Sequence, residues 1–282
     1  MSRIAIVGLV GKTIFMEVPR FHTGGETIVA RDIHEEWGGK GFNQAIAAAR
    51  QDAAVSFLGA ASAEDAKRIA EFCRAEGVAA RMCVKRQATA CAAILTDGTG
   101  ETRVTVYPGA QLSAKDVDGF AGSIAMADFL LLNNEVPEEV NLAASELAAQ
   151  YGVRIIFNPA PARPIPEELA RRVYLFTPNE FEEGELLAGL PSLPEVVTTL
   201  GARGCRIRST GEVLPAVSAG KPVDSTGAGD TFNAVLAVRL AEGATLRDAC
   251  LAANAAAAES VTRRYVLQSL PYRRKDENKE TT

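Results

Sequence analysis

Histidine is almost missing from this chain: His22 and His34 are the only two among 282 residues. That scarcity excludes a histidine-rich metal centre. The five cysteines, Cys73, Cys83, Cys91, Cys205 and Cys250, are odd in number, widely spaced and free of any CxxC, which suits reduced thiols rather than disulfides or zinc. Long apolar runs are also lacking. None approaches the ~18 residues that a membrane span needs, and the short run from Ile4 to Val10 has no signal-peptide cleavage pattern. Excess positive charge is absent too. The formal net charge is -5, and basic clusters are as short as Tyr272-Arg273-Arg274-Lys275, so there is no field to hold nucleic acid. The expectation is a cytoplasmic protein with neither nucleic acid nor membrane as partner.

What is present is apolar and regularly punctuated. With 47% apolar residues, the chain can bury one large core or two modest ones. Strand and helix signals alternate: Ile4 to Gly8, Ala54 to Leu58, Ala79 to Val84, Phe129 to Leu132, Arg154 to Phe157 and Val196 to Leu200 read as strands. Helical stretches include Ala63 to Glu76, Val140 to Gln150, Phe181 to Leu187, Asp230 to Leu240 and Leu246 to Val261. Such alternation predicts a parallel sheet covered by helices. A hairpin of Cys91 to Thr96 and Arg103 to Tyr107, turning through Asp97-Gly98-Thr99-Gly100, interrupts it. Short strands around Thr27-Ile28-Val29-Ala30 are expected to join that hairpin in a small separate sheet.

Two glycine clusters each open a helix. The first is Gly38-Gly39-Lys40-Gly41-Phe42-Asn43-Gln44-Ala45; the second is the run from Asp224 to Asn233, DSTGAGDTFN. Free backbone N–H groups at a helix N-terminus attract an anion. A carboxylate in the same turn, Asp230, is poor company for a phosphate unless it accepts a proton from the group being phosphorylated. The commoner reading of such an acid is a dipole partner in a close-packed turn. A third cluster, Gly11-Lys12-Thr13, is no phosphate-binding P-loop. The glycine that motif needs five positions earlier is replaced by Ile6, inside a strand.

Both glycine clusters, with NPAPAR at Asn158 to Arg163, TPNE at Thr177 to Glu180 and TLGARG at Thr199 to Gly204 between them, resemble the ribokinase-like (PfkB) carbohydrate kinases. The resemblance runs to about Pro271. It implies a three-layer α/β/α fold, a mostly parallel central sheet and a small β-sheet lid. The kinase domain would span residues 1–271, with the lid at about 13–37 and 91–108 and a polar tail at 272–282. It also implies ATP and Mg²⁺ as cofactors. Asp230 would be the general base, and the N–H groups of Gly227, Ala228 and Gly229 the anion hole. Substrate contacts would come from Gly39, Lys40, Asn43 and Glu135. On the nucleotide side stand Asn179, Thr199, Gly201, Gly204 and Asn254, with Glu182 and Asn179 holding hydrated Mg²⁺; a helix-capping Asn and a solvated Glu is the alternative. Asp224, Thr226 and Ser269 match a K⁺ site, although Tyr265 occupies a position where ribokinase-type members have glycine.

The chain departs from the family where an N-x-D pattern grips the sugar hydroxyls; Gly11 and Thr13 stand there instead. A charged acceptor binds about twice as strongly as a neutral one, so ribose should bind poorly without compensation. Lys12 either favours an anionic substrate or faces solvent. Two functions follow. The first is an ATP-dependent kinase for a hydroxyl, expected to be a hydroxymethyl, of a sugar or nucleoside. The alternative is a degenerate relative that binds a small molecule without turnover. Pairing of exposed lid edges predicts a homodimer.

Overall fold

The computed structural model describes residues 1–189 and 194–274. Its elements follow in chain order. The first part holds β1 (Arg3–Val7), β2 (Gly11–Glu17), β3 (Asp32–Gly38), α1 (Lys40–Ala49), β4 (Ala54–Ser62), α2 (Ala63–Ala75), β5 (Val78–Lys85), β6 (Ala90–Thr96) and β7 (Thr102–Tyr107). Next come α3 (Ala114–Asp118), α4 (Ala121–Ala125), β8 (Phe129–Asn133), α5 (Glu138–Tyr151), β9 (Arg154–Asn158), α6 (Glu167–Ala170) and β10 (Leu175–Phe176). The rest comprises α7 (Glu180–Gly189), β11 (Glu195–Thr199), β12 (Cys205–Ile207), β13 (Val213–Leu214), α8 (Ala228–Ala241), α9 (Leu246–Ser260) and α10 (Val266–Ser269).

The central sheet runs β13-β12-β11-β10-β9-β8-β1-β4-β5, parallel except for the antiparallel edge made by β12 and β13. Its central strands are apolar on both faces because helices cover both faces. On one side Ile4 and Ile6 pack with Phe42 and Ile46 of α1, Ile69 of α2 and Val235 of α8. On the other Ala5, Val7, Leu130 and Leu132 pack with Val117 of α3, Ile124 of α4 and Val140 of α5. Helix, sheet and helix thus form three layers.

A second sheet, ordered β3-β2-β6-β7, stands apart as a lid. Here the sequence-based expectation needs correction. Thr27-Ile28-Val29-Ala30 forms no strand, and Val29 is 84% exposed. β-Branched residues without cross-strand partners have nothing to pack on. The strand is instead β2, which pairs with β3 on one side and β6 on the other. Gly11 is needed where β2 begins, since a Cβ there would lie 2.6 Å from the Ala90 carbonyl oxygen. An asparagine at that position therefore has no room. The expected C-terminal tail falls mostly outside the described residues. Within them the Arg273 N–H donates to the Arg50 carbonyl at 2.8 Å.

Candidate active site

The site forms where α1 and α8 both start beside the ends of the central strands. The α1 turn is held by close packing. Gly8 and Gly41 cross so tightly that a Cβ on either would sit 2.6 Å from the other's Cα, and Gly39, at φ 106°, lies against the Leu9 carbonyl. This crossing fixes the first turn of α1. Lys40, Asn43 and Gln44 then share one face, as positions i, i+3 and i+4 do.

That face meets Asp230 in the first turn of α8. The Asp230 carboxylate is buried and accepts from Asn43 Nδ2 at 2.8 Å and Gln44 Nε2 at 3.3 Å. Burial pushes its pKa above the ordinary carboxylate value, against the pull of Lys40 and the two amides. Burial disfavours the Lys40 ammonium, yet the charges of Asp230, Glu135 and Glu182 outweigh it and hold the lysine above its usual value. Glu135, whose Oε2 accepts the Lys40 backbone N–H at 2.6 Å, is pushed up to about 7 by burial, with Asp230 adding to the shift. Asn43 Oδ1 and Gln44 Oε1 are buried acceptors with no donor among the described residues. Gln44 was present in the sequence motif without a role; the i, i+3, i+4 spacing was the signal that could have found it.

The α8 turn differs from the α1 turn. Gly227 is its N-cap at φ 80°, backed by Val266 Cγ1, whereas a Cβ on Gly229 would meet open space. The Ala228 N–H turns back to the Ser225 carbonyl at 3.2 Å. Among the described residues no acceptor takes the N–H of Gly227, Gly229 or Asp230, so these donors remain available. Asn233, one turn on, donates to the Gly229 carbonyl at 2.8 Å and meets Thr177 after β10. It thereby ties TPNE to the α8 turn.

Asn179 and Glu182 cap α7 reciprocally: the Glu182 N–H donates to Asn179 Oδ1 at 2.8 Å and the Asn179 N–H to Glu182 Oε2 at 2.9 Å. Glu182 is buried, not solvated, and its charge reaches Lys40. Thr199 holds this segment, its N–H donating to the Pro178 carbonyl at 2.8 Å. Gly201 and Gly204 turn the chain from β11 to β12 at φ 58° and 94°. Asn254 is buried and donates to the carbonyls of Leu214 at 3.1 Å and Pro215 at 3.3 Å. Asp224 accepts from the N–H of Thr226 at 2.9 Å and of Tyr265 at 3.2 Å, while the Ser269 hydroxyl donates to the Val266 carbonyl at 2.8 Å.

On the lid side, Thr13 is buried with Oγ1 directed at Gly38. The Lys12 side chain, 44% exposed, pairs through Nζ with the buried Asp65 at 3.1 Å. A cleft of about 570 Å³ opens between the lid and the turn before α8, lined by Phe15, Glu17, Asp97, Asp224, Thr226 and Tyr265. Asp230, Lys40 and Asn43 are not on its wall, so it lies beside the buried carboxylate and not over it.

Residues 1–273 match the family model described as pfkB family carbohydrate kinase. The chain is 32% identical over 298 residues to a bifunctional ribokinase/ribose-5-phosphate isomerase A of Fructilactobacillus sanfranciscensis, covering 97% of this chain and 55% of that protein. It is 30% identical over 294 residues to the ribokinase of Haemophilus influenzae, covering 96% and 95% of the two chains. The structure of Arabidopsis thaliana ribokinase complexed with ribose and ATP superposes with a TM-score of 0.84 at 28% identity, covering 96% of each chain. Fold and sequence agree: the chain belongs to the pfkB family of carbohydrate kinases.

Proposed function

We propose that this carbohydrate kinase transfers the γ-phosphoryl group of ATP to a hydroxymethyl group of a sugar or nucleoside, with Asp230 as general base. The observation that carries the reading is the pairing at the start of α8 of a buried carboxylate with uncommitted backbone donors. As the acceptor hydroxyl oxygen attacks phosphorus, Asp230 takes its proton. The raised pKa brings the carboxyl closer to the operating pH, where a general base works best. The N–H groups of Gly227 and Gly229 face the charge that develops on the migrating phosphoryl oxygens; removing one such donor typically costs about 3 kcal/mol. Lys40 keeps its charge beside Asp230 and Glu135. The unpartnered oxygens of Asn43 and Gln44 are suited to hydroxyl donors, which a polyol supplies. The Haemophilus and Arabidopsis relatives, named as ribokinases, support a sugar acceptor; the inosine complex of a Burkholderia thailandensis nucleoside kinase, at 22% identity, shares only the fold.

Among the described residues no group of three His, Cys, Asp or Glu side chains could hold a metal. Hydrated Mg²⁺ requires less, one or two carboxylates and the substrate phosphates. The buried Glu182, fixed by Asn179, fits that role, and Mg²⁺ there would neutralise phosphate charge. Asp224, Thr226 and Ser269 are the residues that would hold K⁺, their oxygens keeping lone pairs beside the bonds they make within the chain, and potassium enters no step. Thr13 offers a single neutral hydroxyl in place of a carboxylate, which favours acceptors other than ribose. Exposed edge strand β7, with Val104 and Val106 both more than half exposed, supports a homodimer through the lid, and sedimentation at monomer mass would count against it.

The test is ADP release from Mg-ATP across a panel of sugars and nucleosides. At least one acceptor should stimulate it, and Asp230→Asn should lower turnover by about 10² to 10⁴. Stimulation by none of them, together with a thermal shift by one, would establish the non-catalytic binding protein instead.

A further inference from the structure

Tyr265 has φ 64° and ψ 161°, a backbone region that is essentially reserved for glycine. A tyrosine holds it only if its surroundings over-determine it. Four consecutive residues supply that constraint, and each reaches the lid. The Arg264 guanidinium pairs with Glu17 of β2. The Tyr265 ring stacks on His34 of β3 at 3.7 Å between centroids and 16° between planes, and meets Phe15 of β2 edge-on at 5.2 Å. The N–H of Val266 donates to Glu36 of β3 at 2.8 Å, and the N–H of Leu267 bonds the same carboxylate.

The segment also reaches the other way. The Tyr265 N–H donates to Asp224, in the turn that leads into α8. The Val266 side chain backs Gly227 so closely that a Cβ there would meet Cγ1 at 2.6 Å. One short strip of chain therefore touches the lid with one set of atoms and the N-terminal turn of α8 with another.

We infer that Tyr265 is a positioning residue that latches the lid onto the α8 turn, so that the lid's seating and the geometry of that turn form a single equilibrium. The glycine-like backbone lets the ring turn out to the lid while its amide stays on Asp224. The strain at Tyr265 is held by the aromatic contacts with His34 and Phe15. The link to catalysis rests on the reading of Asp230 and the α8 turn given above; the latch itself does not.

Hydrogen exchange on the full-length protein without ligands tests it. In Tyr265→Gly the amides of β2 and β3 should exchange about tenfold faster, the effect of losing an aromatic pair of the usual strength. Amides of the central sheet should stay within about twofold, because glycine accepts this backbone without strain. Tyr265→Phe, which keeps the ring, should match the wild type. Trp37, the only tryptophan, lies on β3 next to Glu36, and its fluorescence should change in the glycine variant but not in the phenylalanine one. Wild-type lid exchange in Tyr265→Gly, or equal loosening in Tyr265→Phe, would overturn the latch. Should Tyr265→Gly fail to fold, Glu36→Ala decides on the same readout, fast lid exchange supporting the latch and wild-type exchange refuting it. With an acceptor in hand, Tyr265→Gly should raise the acceptor KM about tenfold with the ATP KM unchanged. If the wild type turns over no acceptor, the kinase reading fails, while the exchange data still decide the latch.

Discussion

Two glycine turns open two helices in this protein, and they use glycine for opposite purposes. At α1 the missing side chains are filled by other parts of the chain: Gly41 crosses Gly8 and Gly39 touches the Leu9 carbonyl. At α8, Gly227 is backed by Val266, but Gly229 faces open space, and among the described residues the N–H groups of Gly227, Gly229 and Asp230 have no acceptor. One turn is glycine-rich so that backbone can approach backbone. The other keeps a gap that a ligand's atoms can enter. The same sequence signal therefore supports a packing joint in one place and a proposed anion site in the other.

Substitutions by alanine separate the two uses. The largest effect is expected at the open turn, where Gly229→Ala should leave the melting temperature near that of the wild type yet lower kcat about 10²-fold, the typical consequence of displacing a bound group by an ångström. Parallel thermal melts and turnover assays check this, and a large loss of stability would erase the contrast. Next, Gly41→Ala should destabilise the fold by about 1–3 kcal/mol, since the clash is with backbone and must be relieved by moving α1 or β1. Denaturant unfolding measures it; an unchanged midpoint would mean that the crossing is looser than it looks.

The smallest effect sharpens the electrostatic side of the comparison. Glu135, beside the α1 turn, has a pKa of about 7 instead of 4.5, so between those values the folded chain holds a proton that the unfolded chain has released. Its contribution makes stability fall as pH rises through that window. Glu135→Gln, which mimics the protonated form, should therefore raise the melting temperature by a few degrees at pH 8 and by less at pH 5. A gain independent of pH would show that Glu135 is not the titrating group.

Much of the scaffold was legible because its patterns are local. The strands β1, β4, β8 and β9 and the helices α2, α5, α8 and α9 carry their own apolar runs and punctuation. The lid was harder. Gly11-Lys12-Thr13 showed only that it was no phosphate-binding loop, and the lid from about residue 13 came from the family resemblance; pairing with β3 and β6 is what makes Gly11–Glu17 a strand. Thr27 to Ala30 had the better propensity but lacks a partner. Within the site, Asp230 and its glycines were visible as a motif, whereas the contacts made by Gln44, Asn233 and Glu36 span from 56 to 231 residues of sequence.

By itself the sequence determined the family, the layered fold and the residue types at the start of α8, because motif, order and periodicity are properties of neighbouring residues. The tertiary structure alone decided that Lys12 pairs with Asp65, that Gly11 has no space for a side chain, and that a tyrosine in a glycine's conformation seats the lid. Those outcomes depend on distances between remote segments and on burial, which shifts charges and fills gaps in ways that no local pattern encodes.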